Sequence, residues 1–340
     1  MTTITILGAG AMGSALATPA VQRGHTVRLW GTHLDGPVLE TLGRGAPHPG
    51  TAVMLPPSVK CFASADLEQA LYGADLVIVS VASGGVFDTG RLLKGAIPAD
   101  VPLLMTSKGF HEASDGRIEL LPEALRSGLG EATRPIVSVG GPCKANEVAA
   151  GRMTATVFAS TSPEHVARAK ELLATPTYVI EASNDEVGLE VGAPLKNVYA
   201  IALGLAEGLE ARDGAPHHNL KAALFARAVR EMSLISSHLG GSPETVYGLA
   251  GVGDLEVTGL SGRNKVFGMR LGTGESVPEA TEAMHHLGLT VEGIAAAPLA
   301  VRLTERLGLG ASQLPLLSAL DALLHREAPA EAALHGALEI

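Results

Sequence analysis

The run TITILGAGAMGSALA, residues 3–17, decides the fold of this chain. Thr3–Leu7 reads as a short β-rich strand, and the alanine-rich stretch from about Met12 to Arg23 reads as a helix. Between them stands Gly8-Ala9-Gly10-Ala11-Met12-Gly13. In a strand–turn–helix unit the first glycine makes the turn. The second lets the backbone approach a pyrophosphate, and the third lets helix and strand pack closely. The free N–H groups at the helix start then hold the phosphates. A plain tight turn has no use for three glycines at this spacing. Gly8, Gly10, Ala11, Met12 and Gly13 are therefore read as the turn of a dinucleotide site.

The second strand, HTVRLW (25–30), ends in Trp30-Gly31-Thr32-His33, with no acid until Asp35. A carboxylate at that strand end would bind the adenine ribose hydroxyls and repel a 2′-phosphate. Thr32 and His33 could instead donate to such a phosphate, which favours NADP over NAD. His33 is equally read as a solvated loop histidine. Residues 43–57 are rich in proline and glycine and read as an irregular insertion. SVKCFA, DLVIVSVA, VPLLMTS and PIVSVG continue the strand pattern, and MTATVFAS and TYVIEAS flank the helical SPEHVARAKELLA. Strands alternating with helices build a parallel sheet covered on both faces. After about Ser183 the strand signals stop. The reading is an α/β chain: a Rossmann-type doubly wound dinucleotide-binding domain over 1–183, then an all-helical substrate-binding and dimerisation domain over 184–340.

Composition narrows the function. A hydrophobic fraction of 46% with 18% charged residues describes a well-cored globular chain. A net charge of −10 without a basic run argues against a nucleic-acid binder, yet leaves room for an anionic small ligand in a local pocket. Two cysteines make no disulfide framework, so a reducing cytoplasm is expected. The N-terminus lacks the positive region of a signal peptide, and no stretch suits a membrane span. HExxH, CxxC and GxSxG are absent, and no metal is expected.

The segment VGAPLKNVYAIALGLAEGL (191–209) poses a question: it is almost wholly small and aliphatic, yet holds Lys196 and Asn197 in its interior. It belongs to one long helical pattern with a bend expected near Pro194. A buried ammonium costs several kcal/mol unless it is paired, so folding alone supplies no reason for it. Lys108, in LLMTSKGF, follows a buried-looking strand, where α/β sheets bind ligands; from position alone it fits a site residue or a solvated charge. In GLAGVGDLEVTGLSGRNKVFG (248–268), Asp254 stands among glycines and Arg263-Asn264 follows. A guanidinium fork suits phosphate, although an Asp–Arg surface salt bridge fits the same residues. His217-His218 and His285-His286 read as structural pairs, Cys143 as a small loop residue, and Lys221, Arg227, Arg230 and Glu231 as the solvated face of a helix.

Taken together, LGAGAMGSALA, TSKG (106–109), GPCKANEVAAG (141–151), LKNVYAIALGL (195–205), GLAGVGDLEVT (248–258), GRNKVFG (262–268) and VEG (291–293) occur in one order. That set resembles the NAD(P)-dependent sn-glycerol-3-phosphate dehydrogenases from residue 3 to about 300. The resemblance implies interconversion of dihydroxyacetone phosphate and sn-glycerol 3-phosphate, supplying glycerol phosphate for lipid synthesis, in a cytoplasmic homodimer. It implies that Lys196 is the catalytic lysine exchanging a proton with the C2 oxygen, with Asp254 and Lys108 beside it. Gly141, Asn197 and Thr258 match substrate-pocket positions, and Arg263 and Asn264 match the phosphate holders. Lys108, Ala145, Arg263 and Glu292 match positions that border the cofactor. On this reading Asp254 and a bound substrate partner the buried lysine.

The chain departs from the family pattern in GRGAPHPGTAVMLPP (43–57), at Lys144 where an aromatic residue is frequent, and at Pro194. These leave open a dehydrogenase of another phosphorylated polyol. A ketoacid or imine reductase fits Lys108 and the GRN motif less well. A non-catalytic redox sensor would have no use for Lys196, Asp254 and Arg263 together.

Overall fold

The computed structural model describes residues 2–326 and 328–338. They form two compact units, one made of the chain up to His111 with Glu119–Glu186, the other of Glu112–Ile118 with the chain from Val187 onward.

The first unit alternates strands and helices in the order β1 (Thr3–Leu7), α1 (Ala11–Gln22), β2 (Thr26–Trp30), α2 (Gly36–Gly43), β3 (Lys60–Phe62), α3 (Leu67–Leu71), β4 (Leu76–Val79), α4 (Val86–Leu93) and β5 (Leu103–Met105). A hairpin of β6 (Phe110–Glu112) and β7 (Ile118–Leu120) follows. Then come α5 (Leu121–Leu129), β8 (Ile136–Gly140), α6 (Ala145–Ala149), β9 (Thr154–Ala159), α7 (Pro163–Leu173) and β10 (Tyr178–Ser183). The sheet order is β10-β9-β8-β5-β4-β1-β2-β3. Its β3-β2-β1-β4-β5-β8 part is the doubly wound arrangement that places a ligand crevice where the order reverses, beyond the ends of β1 and β4. Val77, Val79, Leu103 and Met105 are buried on one face, and Ile4, Ile6, Leu76 and Ile78 on the other, so both faces are covered.

One strand pair differs from the expected parallel sheet. β8 and β9 run antiparallel, with Val139 opposite Phe158. The connection between them holds only the five-residue α6, too short for a parallel crossover, so the chain turns back beside the strand it has just left. β9 and β10 are parallel to each other, joined by α7.

The second unit contains the helices α8 (Glu186–Asp213), α9 (His218–His238), α10 (Pro243–Tyr247), α11 (Asp254–Ser261), α12 (Arg263–Gly272), α13 (Val277–His286), α14 (Glu292–Arg306), α15 (Pro315–His325) and α16 (Ala330–Leu338). A π turn, Leu249–Gly253, joins α10 to α11. The central element is α8, a 28-residue helix that runs through Pro194 and whose Val198–Leu203 stretch is almost wholly buried. It meets α12 backbone to backbone. A Cβ on Gly204 would lie 2.1 Å from the Lys265 carbonyl oxygen, and one on Gly268 would lie 2.0 Å from that of Ile201. Gly208 and Gly272 repeat the contact one turn further along.

Glu231 corrects the reading of its helix face as solvated. It is 1% exposed, and its carboxylate accepts from the Leu316 and Leu317 N–H groups at 2.7 and 2.9 Å and from the Tyr199 hydroxyl at 3.0 Å. It thereby caps the start of α15 and ties it to α8 and α9. Burial drives the Glu231 carboxyl up to about 7, against the opposing pull of the two amides, Tyr199 and Arg227. A raised carboxyl pKa means the folded state binds the extra proton. This contribution to stability is therefore complete below about 4.5 and is lost as pH rises through about 7. The expected loss is on the order of 3 kcal/mol. Urea melts at pH 5 and pH 8 should show this slope in the natural chain and a flatter one in Glu231→Gln. Equal slopes in the two proteins would remove Glu231 as its source.

Candidate functional site

In the first unit, the glycine turn takes the form its spacing implies. Gly8 has φ +107°, and a Cβ there would lie 2.5 Å from the Ser80 carbonyl oxygen. A Cβ on Gly13 would strike the Gly8 carbonyl oxygen at 2.2 Å, so α1 packs tightly against the turn. Gly10 behaves differently: a Cβ there would meet no protein atom within 4 Å. The space above it is open. Gly10 is also the N-cap of α1 and supplies no side-chain cap, so the first-turn amides of Ala11, Met12 and Gly13 are left for an anion. An open cradle above uncapped amides fits a dinucleotide pyrophosphate.

The other residues named for this unit are set along the same edge of the sheet. Ser80 after β4 shares a 2.7 Å hydrogen bond with Thr106 after β5, and the Ser107 hydroxyl donates to the Val81 carbonyl at 2.6 Å. Lys108 follows directly, half-buried, with Gly109 (φ +155°) tight against Ser83. Gly141 lies just beyond β8 with φ +103°. Ala145 opens α6, which packs beside α1, where the Thr18 hydroxyl donates to the Ala149 carbonyl at 3.1 Å. His33 is exposed.

Thr32 is bonded to the next acid along the chain. Its hydroxyl donates to Asp35 at 2.8 Å, and its backbone N–H donates to the same carboxylate oxygen at 2.8 Å. The acid that stands three residues further on thus folds back to the end of β2, and the Thr32 hydrogen is already committed. Asp35 also accepts from the Ala9 N–H, at 3.3 Å.

In the second unit, the lysine in the apolar helix finds its partner. Lys196 Nζ donates to Asp254 Oδ1, with the two residues 8% and 1% exposed. Local packing makes the pairing feasible. A Cβ on Gly192, one turn before Lys196, would lie 3.0 Å from the Ala250 carbonyl oxygen, so the π turn can come close against α8. That turn delivers Asp254 to the first residue of α11, where an acid also suits the helix dipole. The Thr258 hydroxyl donates to the Asp254 carbonyl at 2.6 Å.

Asn264, 2% exposed, is the hub beside this pair. Its amide nitrogen donates to Asn197 Oδ1 at 3.1 Å and faces Glu292 Oε2 at 3.5 Å, while its oxygen accepts from the Gly293 N–H at 2.8 Å. Arg263 is exposed and donates to Glu292. Lys196, Asn197, Asp254, Thr258, Arg263, Asn264 and Glu292 are thus brought together from α8, α11, α12 and the start of α14. Glu207 of α8 is missing from the sequence reading. Burial pushes its carboxyl up, but Lys265 and Lys221 outweigh that and hold it below the usual range. Among the described residues no cluster of ligating side chains suits a metal, and no helix is long and apolar enough to cross a membrane.

A cradle for a pyrophosphate on a doubly wound sheet, with a helical unit holding a buried lysine–aspartate pair, defines a nicotinamide-dependent dehydrogenase. The chain belongs to the NAD-dependent glycerol-3-phosphate dehydrogenase family, whose N-terminal model matches residues 3–166 and whose C-terminal model matches residues 185–335. It is 38% identical over 309 residues to the NADP(+)-dependent glycerol-3-phosphate dehydrogenase of Archaeoglobus fulgidus, covering 89% of this chain and 90% of that one. It is 34% identical over 335 residues to a glycerol-3-phosphate dehydrogenase [NAD(P)+] of Xanthomonas campestris, covering 97% and 93%. The crystal structure of glycerol-3-phosphate dehydrogenase from Coxiella burnetii superposes with a TM-score of 0.86 at 30% identity, covering 100% of this chain and 99% of that one.

Proposed function

We propose that the chain interconverts dihydroxyacetone phosphate and sn-glycerol 3-phosphate with NAD(P)H, using Lys196 as the proton-transferring group. The observation that carries this reading is the buried Lys196–Asp254 ion pair beside Asn197 and Asn264. When bound, NAD(P)H supplies the hydride for the C2 carbonyl. Gly8, Gly10, Ala11, Met12 and Gly13 hold the pyrophosphate, and Ala145, Arg263, Glu292 and Lys108 border the rest of the cofactor. Lys196 polarises the C2 oxygen as charge develops on it and then protonates it. Asp254 keeps the ammonium aimed and compensated during that step. In the helical unit Asn197 and Thr258 face the substrate, and Arg263 and Asn264 receive its phosphate; the family resemblance assigns substrate roles to Gly141 and Lys108 of the first unit as well. For Arg263 this means exchanging part of its contact with Glu292 for the substrate.

The cofactor preference turns on the end of β2, where the Asp35 carboxylate holds the Thr32 hydroxyl and favours NADH, while the exposed His33 favours NADPH. His33→Ala should therefore lower kcat/KM for NADPH relative to NADH. An unchanged ratio would take His33 out of 2′-phosphate recognition. We also assign the protein to the cytoplasm as a homodimer, a reading supported by its two unbridged thiols, Cys61 and Cys143, and by the family's habit of pairing through the helical domain. Sedimentation of the purified chain tests the dimer.

The deciding assay follows loss of reduced-nicotinamide absorbance with dihydroxyacetone phosphate, in parallel with NADPH and with NADH. Unphosphorylated dihydroxyacetone and a four-carbon ketose phosphate serve as comparisons. Fast oxidation only with the three-carbon phosphate supports the proposal. Faster turnover of the four-carbon substrate would transfer it to another polyol phosphate.

A further inference from the structure

The irregular segment between α2 and β3 is more than a connection, because it brings a histidine onto the cofactor turn. His48 is 3% exposed. Its Nε2 lies 2.9 Å from the Ala9 carbonyl oxygen, and its Nδ1 accepts from the Gly50 N–H at 2.9 Å. A ring that faces a carbonyl at one nitrogen and an N–H at the other is satisfied in one state, neutral with the proton on Nε2. Gly50 then rests on the turn itself: a Cβ there would be 3.2 Å from the Ala11 Cβ.

Ala9, wholly buried, is the residue between the first two glycines. Its N–H donates to Asp35 from one side, and its carbonyl accepts from His48 on the other. The GxGxxG motif does not require either contact, since its glycines already permit the turn. We infer that His48, with Asp35, is a positioning residue for the dinucleotide. The two side chains clamp Ala9 so that the amides of the turn and of the first residues of α1 are set before the pyrophosphate arrives. Donors ordered in advance lose less freedom on binding, and a turn that samples other forms binds more weakly by the fraction of time it is misplaced.

This inference rests on reading the turn as the nicotinamide-cofactor site. The test therefore measures cofactor binding without substrate. Trp30 is the sole tryptophan, ends β2, and accepts the Gly8 N–H at its carbonyl, so its fluorescence reports on the turn. Titration with NADPH and NADH would be compared for the natural chain, His48→Ala, His48→Gln and Asp35→Ala.

His48→Ala should weaken binding about tenfold, the size of one buried hydrogen bond to a constrained group. The loss should fall on Kd and on the cofactor KM, with little change in kcat at saturating cofactor. His48→Gln, whose amide can still donate to Ala9, should recover part of the affinity. Asp35→Ala should also weaken binding of NADH, which has no 2′-phosphate for the carboxylate to repel, and with His48→Gln it carries the test if His48→Ala does not fold. A folded His48→Ala with unchanged Kd, or Asp35→Ala with unchanged Kd for NADH, would overturn the clamp. A loss confined to melting temperature would make His48 a support of its own loop only and would also overturn it. A natural chain that binds neither NADPH nor NADH would overturn the cofactor site itself.

Discussion

Lys196→Ala should lower turnover at least about 10²-fold, the smaller end of what removing a general acid or base costs, while NADPH and NADH still bind. Lys196 sits in a helix whose residues Leu195, Val198 and Tyr199 are fully buried, and its ammonium is paired with the Asp254 carboxylate. Removing it takes the ammonium away from a carboxylate that is 1% exposed, and breaking a buried ion pair by deleting one partner should also cost about 3–5 kcal/mol of stability. The two effects separate in the double variant. Lys196→Ala with Asp254→Asn should regain much of the stability, because the stranded charge is gone, and none of the turnover. Melting temperature and single-turnover rate, measured on the single and double variants, check both parts. A near-normal kcat in Lys196→Ala would remove it from the mechanism. Recovery of activity together with stability in the double variant would reduce the pair to a structural role.

Gly268→Ala should be the most damaging single methyl group in the helical unit. Its Cβ would stand 2.0 Å from the Ile201 carbonyl oxygen, and the obstacle is backbone on both sides, so no rotamer change relieves it. Overpacking of this kind costs about 1–3 kcal/mol and occasionally more, and the closeness here places it at the upper end. A fall in melting temperature of roughly 6–12 °C follows. The chemistry should suffer too. Pushing α12 away from α8 separates Asn264 from Asn197, now 3.1 Å apart, and carries Arg263 with it. Gly43→Ala is the control, since a Cβ there meets nothing within 4 Å; its effect should stay within about 0.5 kcal/mol. Equal melting temperatures for the two variants would show that α8 and α12 can part without loss.

Much of this was legible in the sequence where the controlling forces are local. The turn after β1 could be read directly because glycine spacing, a preceding β-rich run and a following helix all act within residues 3–17. The position of the long helix followed from its apolar pattern, and Lys196 drew attention because it broke that pattern. Its partner did not follow from spacing. Asp254 lies 58 positions away, and resemblance to a family connected the two where periodicity could not. The α8–α12 contact also has a local signal: Gly204 and Gly208, and Gly268 and Gly272, each stand four apart, the spacing of small residues on one helix face.

Glu231 shows the limit most plainly. Among Lys221, Arg227 and Arg230 it has the composition of a wetted face, and nothing near it in the chain says otherwise. The start of α15, 85 positions later, covers it and supplies two amide donors. His48 and Asp35 are similar, since a proline- and glycine-rich loop carries no periodic signal that would bring it to Ala9. The sequence by itself determined the alternation of elements, the cofactor turn and the presence of an ammonium in an apolar helix. These depend on φ/ψ preferences and side-chain periods within a turn or two. Only the tertiary structure decided which polar group faces which, because a buried charge or carbonyl takes its energy from whatever distant segment the fold sets against it.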